Sequence, residues 1–152
     1  MSRLEASPRI QFSFAHMLRV RWSEVDLQGI VFNPNYFVYA DVGFAEYMRA
    51  IGLAYPDELH AAGSDLFMVS AAANFRDSAR YDDELEVAVR AAAIGRTSLT
   101  LEIQIARDGS LLVLLKLTYV NADRKSQRAE TLPIVVVNRI VAFERIAPTR
   151  AS

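Results

Sequence analysis

Hydrophobic and polar positions alternate with period two at the start of the ordered chain. Phe12, Phe14, Leu18, Val20 and Trp22 are apolar, and the intervening Gln11, Ser13, Arg19 and Arg21 are polar. This is the pattern of a half-buried strand. His16 falls on the apolar parity and reads as a core or strand-end histidine. From Pro34 to Ile51 the period lengthens: Phe37, Ala40, Phe44, Met48 and Ile51 form one stripe, with Tyr47 beside it and Asn35, Glu46 and Arg49 opposite. The spacing predicts a long helix that Gly52 ends. Asp41 lies about 40° from the stripe's centre, where a carboxylate needs an ion-pair partner or a wet, ligand-bearing cavity. Tyr55 to Ser64 predicts a short helix or turn with His60 facing solvent. Four strands follow, Leu66 to Phe75, Glu84 to Ile94, Leu99 to Arg107 and Leu111 to Val120, the last two joined by Asp108-Gly109, a hairpin signal. The unbroken Leu111-Leu-Val-Leu-Leu run predicts a central strand covered on both faces. Asn121 to Glu130 reads as a loop, and Pro133 to Glu144 as either a strand or a terminal helix. Residues 1–10 are expected to fray and the tail after Arg145 to be loose. The order gives an α+β class: one long helix wrapped by an antiparallel meander.

Composition narrows the function. The 152 residues, 52% hydrophobic and 23% charged, fit one domain, with an ordered core expected over about 12–145. A formal charge of −1 argues against a nucleic-acid binder or a polybasic membrane anchor. The chain has no Cys, which removes disulfides, thiolate metal sites and a Cys nucleophile and fits a reducing compartment. No apolar run approaches the ~18 residues of a membrane span, and Met1 to Gln11 lacks the apolar core of a signal peptide. A soluble, cytoplasmic protein is the expectation. There is no Gly-x-Ser-x-Gly elbow, P-loop or Gly-x-Gly-x-x-Gly, and the two histidines, His16 and His60, stand alone. Asp82-Asp83-Glu84 reads as a solvated turn rather than a metal site, and no metal is expected. The chemistry left is that of carboxylates.

One stretch concentrates it. Val20 to Tyr36 reads as a strand end, a loop containing Glu24, Asp26 and Gly29, and a helix start at Asn33-Pro34. Asn is a good N-cap, and Pro belongs at the first helical position. A helix start presents unpaired N–H groups and the positive end of a dipole, which would stabilise an oxygen gaining negative charge. Asp26, seven residues before Asn33, could fold back toward that end. Carboxylate and amide together would make an acyl-transfer site; alternatively Asp26 simply caps a turn.

These residues resemble a known family. Asp26-Leu-Gln-Gly-Ile-Val-Phe-Asn-Pro-Asn-Tyr36, then Asp41, Glu46-Tyr47-Met48-Arg49 and Gly52-Leu53, is similar to the hotdog-fold acyl-CoA thioesterases, nearest the 4-hydroxybenzoyl-CoA thioesterase and its Tol-Pal-associated relatives. Ala79-Arg80-Tyr81-Asp82-Asp83-Glu84-Leu85-Glu86-Val87 and Gly95-Arg96-Thr97-Ser98 agree with the family's strand motifs. The resemblance spans roughly Arg19 to Pro133. It implies a curved antiparallel sheet around the helix and a homodimer as smallest unit with sites at the subunit interface; a homotetramer is the expected assembly, with the dimer as the alternative. It implies hydrolysis of a small, or an aromatic or aliphatic, acyl-CoA to free acid and CoA, with no cofactor because coenzyme A is part of the substrate. Asp26 then falls on the carboxylate that attacks the thioester or activates water, and the Asn33 backbone N–H on the amide that polarises the carbonyl. Tyr36 falls on an aromatic lining the acyl pocket and Arg96 near the nucleotide phosphates, and Gly29 and Asp41 are further candidates for substrate binding. Phe32, Tyr36, Phe37 and Phe67 could line an aromatic pocket or be plain core. The chain departs from the pattern at Asn33, where relatives carry His or Tyr, and at Glu24-Val25-Asp26, where they carry Asp-Thr-Asp or Asp-Cys-Asp. A dehydratase of this fold would need a His near the helix start, and none is there. A module that binds CoA esters without hydrolysing them is the alternative.

Overall fold

The computed structural model describes residues 3–150. Six strands, β1 (Phe14–Arg19), β2 (Leu66–Phe75), β3 (Glu84–Ile94), β4 (Ser98–Arg107), β5 (Ser110–Asn121) and β6 (Thr149–Arg150), form one sheet, and three helices, α1 (Asn35–Ala50), α2 (Asp57–Ala61) and α3 (Ile134–Phe143), accompany it. The strand order is β1-β3-β4-β5-β2, all antiparallel, with β6 added to β3 in parallel. Pro133 opens a helix, not a strand: four β-branched residues are outweighed by the burial of Val136, Val137 and Ile140 on one helical face.

Alternation on β3, β4 and β5 sends Val87, Val89, Leu101, Ile103, Val113, Leu115 and Leu117 to one face, where α1 packs, and all are essentially inaccessible. The helix comes close because position 43 is glycine. A Cβ there would lie 2.5 Å from Val87 Cγ1.

The helix is rotated relative to the stripe expected for it. Its buried face is Tyr36, Tyr39, Ala40, Gly43, Tyr47 and Met48, while Phe37 is 38% exposed. The three tyrosines can enter the core because each hydroxyl has a partner. Tyr36 OH accepts from Ala79 N–H at 2.9 Å, and Tyr39 and Tyr47 donate to Glu24 at 2.9 Å and Glu144 at 2.7 Å. Burial is the main cause that pushes the Tyr47 phenol up, and Glu144 adds to it.

Both chain ends are more ordered than expected. The N-terminal segment crosses the other face of the sheet: Leu4 N–H donates to Asn74 Oδ1 at 2.6 Å, and Ser7 donates through N–H and Oγ to Glu102 at 2.8 and 2.6 Å. Residues 1 and 2, also expected to fray, lie outside the described residues, as do 151 and 152 of the tail. Beyond Arg145, β6 adds to β3 at Ala93 and Ile94. The first strand is shorter than its alternation suggests: Trp22 to Glu24 form a 3₁₀ turn, leaving Trp22 74% exposed. His60, expected in solvent, is half-buried 3.3 Å from Asp65.

β2 pairs with β5 along one edge only. Phe67, Met68, Val69 and Phe75 on this strand are exposed, as are Phe37, Val38 and Val42 on α1. A long apolar strand edge of this kind is a surface other strands can join.

Candidate active site

The loop after β1 folds into a small hairpin. Val25 bridges Val31, Asp26 N–H donates to Ile30 O at 2.9 Å, and Phe32 N–H donates to Glu24 O at 2.9 Å. Gly29, at φ +78°, makes the reversal and donates to Asp26 O at 2.9 Å. The hairpin is tied to the lead into β3, since Val31 N–H donates to Ala79 O and Ile30 bridges Arg80.

Glu24 anchors this loop. The residue is 7% exposed. Oε1 accepts from Arg21 N–H at 2.8 Å and Tyr39 OH at 2.9 Å, while Oε2 accepts from the Arg21 guanidinium at 2.8 and 3.0 Å. Burial alone would raise the carboxyl; the Arg21 N–H, the guanidinium and the Tyr39 hydroxyl together hold it below its ordinary value. Its backbone carbonyl also accepts from Asn35 Nδ2 at 2.9 Å, which clips the loop to the first turn of α1. Sequence reasoning marks Glu24 only as a neighbour of Asp26. The signal for its role is Arg21 and Glu24 three apart, a pair that can close one turn.

Asp26 sits at the hairpin tip, exposed, with Oδ1 accepting from Gln28 N–H at 2.8 Å. It therefore does cap a turn, and Oδ2 has no hydrogen-bond partner among the described residues. Asn33 and Pro34 form the turn into α1, and no side chain caps the helix, so the N-cap expected of the Asn33 side chain is not made. The amides around it are taken. Val31 and Phe32 donate as above, Asn35 donates to Phe32 O at 2.9 Å, Tyr36 to Asn33 O at 3.2 Å and Phe37 to Pro34 O at 3.1 Å. Pro34 has no N–H. That leaves Asn33, among the described residues, as the one backbone N–H between Val31 and Phe37 without a hydrogen-bond partner, and it is exposed.

The other expected site residues separate. Tyr36 is core: 1% exposed, packed edge-on against Tyr39, its hydroxyl on Ala79, with no surface for an acyl group. Phe32, Phe37 and Phe67 are 57%, 38% and 40% exposed. Asp41 is exposed on α1 and lines a cavity of about 300 Å³. Arg96 lies in the β3–β4 turn, exposed, with Nη1 donating to Thr131 Oγ1 at 2.9 Å. The acidic run 82–84 is divided among arginines: Asp83 pairs with Arg107 at 2.6 Å, and Asp82 and Glu84 with Arg19 at 3.5 and 3.3 Å. Among the described residues no helix is long and apolar enough to cross a membrane.

Known proteins agree with this architecture. The thioesterase superfamily model matches residues 28–114. A protein of Aquifex aeolicus inferred to be an esterase is 30% identical over 87 residues, 57% of this chain and 67% of that protein. A thioesterase from Thermus thermophilus, solved with coenzyme A and Zn, superposes with a TM-score of 0.78 at 24% identity, covering 88% of this chain and 96% of that one. A 1,4-dihydroxy-2-naphthoyl-CoA thioesterase from Synechocystis superposes at 0.76 with 16% identity, covering 84% and 94%. These likenesses and the sheet-and-helix architecture are those of the hotdog fold, and the chain belongs to the thioesterase superfamily.

Proposed function

We propose that the protein hydrolyses an acyl-CoA thioester, with the thioester carbonyl held by the Asn33 N–H and Asp26 acting on its carbon directly or through water. The observation that carries this reading is the single free amide at the start of α1. A preorganised donor there stabilises the oxyanion as charge develops, and the helix dipole adds to it. Coenzyme A leaves as a thiol, which needs little protonation, so a site without His is sufficient. The free Oδ2 of Asp26 is available as base or nucleophile while Oδ1 stays in the turn. Both groups are exposed on one chain, and exposed apolar side chains on β2 and α1 support a homodimer as the smallest active unit, the second subunit closing the site. Whether dimers pair further into a tetramer is read by light scattering.

Within the family we place the chain nearest the 4-hydroxybenzoyl-CoA and Tol-Pal-associated thioesterases, on its loop motif. Gly29 shapes the tip, and Arg96 would exchange Thr131 for a nucleotide phosphate. A chain without Cys suits the cytoplasm. The test is thiol release from short, long and aromatic acyl-CoAs. Turnover of at least one class supports hydrolysis; tight CoA-ester binding without thiol release would make the protein a binding module.

A further inference from the structure

The outer face of the sheet, turned away from α1, is covered by the chain's own N-terminal segment. Register places Ala15, Ala88, Gln104, Leu114 and Asn74 in one row, a residue each from β1, β3, β4, β5 and β2. The segment follows this row across the strands. Leu4 is bonded to Asn74 at the β2 end, and Arg9 Nε donates to Glu86 Oε1 on β3 at 2.7 Å. Between them Ser7 is fastened over β4. Besides its two bonds to Glu102, its carbonyl accepts from Gln104 Nε2 at 2.8 Å and its Oγ from Arg90 Nη2 at 3.0 Å. Beneath the segment Ala88 and Leu114 are each 1% exposed, and Glu102 and Gln104 are buried. Charge-assisted bonds and apolar burial together hold it there.

The face under the segment has the properties of an interface. Five strands span about 24 Å and ten residues of strand about 34 Å, a footprint of about 800 Å². That is the area each partner contributes to a stable protein–protein contact. Its charges suit a second copy of the same face. In the next row Glu102 stands between Arg90 on β3 and Lys116 on β5. Two such faces related by a two-fold axis present acid to base in both directions, with Ala88 and Leu114 packing between them. Sheets stacked face to face lie about 10 Å apart. The segment occupies that gap, so the two forms of cover exclude each other.

We propose that the N-terminal segment is an assembly stop: it keeps a second copy of the chain off the outer face of the sheet and leaves association to the β2 edge and the helices. The test reads mass rather than thiol release, so its outcome does not depend on the hydrolysis reading. Light scattering and sedimentation across the micromolar range compare wild type, the chain lacking residues 1–8, and full-length Ser7→Asp, which sets a second carboxylate against Glu102. The deletion takes no strand or helix, and circular dichroism checks its fold. At high concentration both variants should have twice the mass of wild type. Adding Ala88→Lys to either, a charge in the middle of the bared face, should restore the wild-type mass. A folded deletion variant with the wild-type mass at every concentration overturns the proposal, and so does a doubling that Ala88→Lys leaves in place. If the deletion fails to fold, Ser7→Asp decides between the same outcomes.

Discussion

Replacing Glu24 by Gln tests whether the loop that bears Asp26 and Asn33 is held by a buried charge. The amide is nearly isosteric, and its oxygen can keep the Oε1 partners, Arg21 N–H and Tyr39 OH. Its NH₂ group would then face the Arg21 guanidinium, two donors opposed, and that exposed side chain would turn to solvent. Losing an ion pair with one exposed partner costs little. The larger loss is charge assistance in the two bonds that remain, about 1 kcal/mol each, the difference between charged and neutral hydrogen bonds. The expected destabilisation is about 2 kcal/mol, or a Tm lower by about 4–8 °C for a chain of this size. The pH dependence supplies a second check. The folded-state pKa of Glu24 is depressed, so its contribution is complete above about 4.3, the ordinary glutamate value, and is lost as pH falls through the lower folded value. Thermal melts of both proteins between pH 7 and pH 3 should differ most at neutral pH and converge in acid. Equal Tm values at pH 7, or a gap that does not narrow as the pH falls below the ordinary glutamate range, would refute the assignment of a charged anchor.

Three further outcomes are expected. Gly43→Ala should destabilise by about 1–2 kcal/mol in urea, because overpacking against Val87 and Val89 exceeds the gain in helix propensity; a neutral or stabilised variant would mean that α1 does not seat against β3 as described. Tyr119→Phe should be at least as stable as wild type because it removes an unpartnered hydroxyl, whereas Tyr39→Phe, which breaks a bond to a buried carboxylate, should lose about 1–3 kcal/mol; the opposite order in urea melts would contradict both assignments. Deleting residues 1–8 removes two donors from buried Glu102, leaves it with Arg90 and Gln104, and should cost about 1–3 kcal/mol; an unchanged melt would mean the segment is not held there.

Periodicity is a good guide where side chains are purely apolar or purely polar. The strands at Leu66–Phe75 and Glu84–Ile94 have the limits that alternation and turn residues suggest, and the Asp108-Gly109 hairpin joins β4 to β5. Leu112 and Leu114 are buried as a doubly covered strand requires, the second face being crossed by the N-terminal segment. Periodicity misleads where a residue's burial depends on a distant partner. The tyrosines of α1 enter the core only because Ala79, Glu24 and Glu144 meet their hydroxyls, so the helix lies on a face that apolar spacing alone does not select. The N-terminal segment and β6 gain order from strands remote in sequence. Asp26 and Asn33 stand out from local chemistry, a turn residue and a helix start. The anchoring role of Glu24 does not, because its partner Tyr39 lies fifteen residues away and only the packing of α1 brings the two together.

Asp26→Asn gives the most direct test of the proposed chemistry. The Asn oxygen can still accept from Gln28 N–H, so the hairpin, the fold and the assembly state should persist while the base or nucleophile is lost. With an acyl-CoA that the wild type turns over, thiol release should fall by about 10²–10⁴-fold, the contribution of a positioned general base, with CoA-ester affinity retained. Near wild-type turnover in a folded Asp26→Asn protein would remove Asp26 from the mechanism and contradict the proposed hydrolysis.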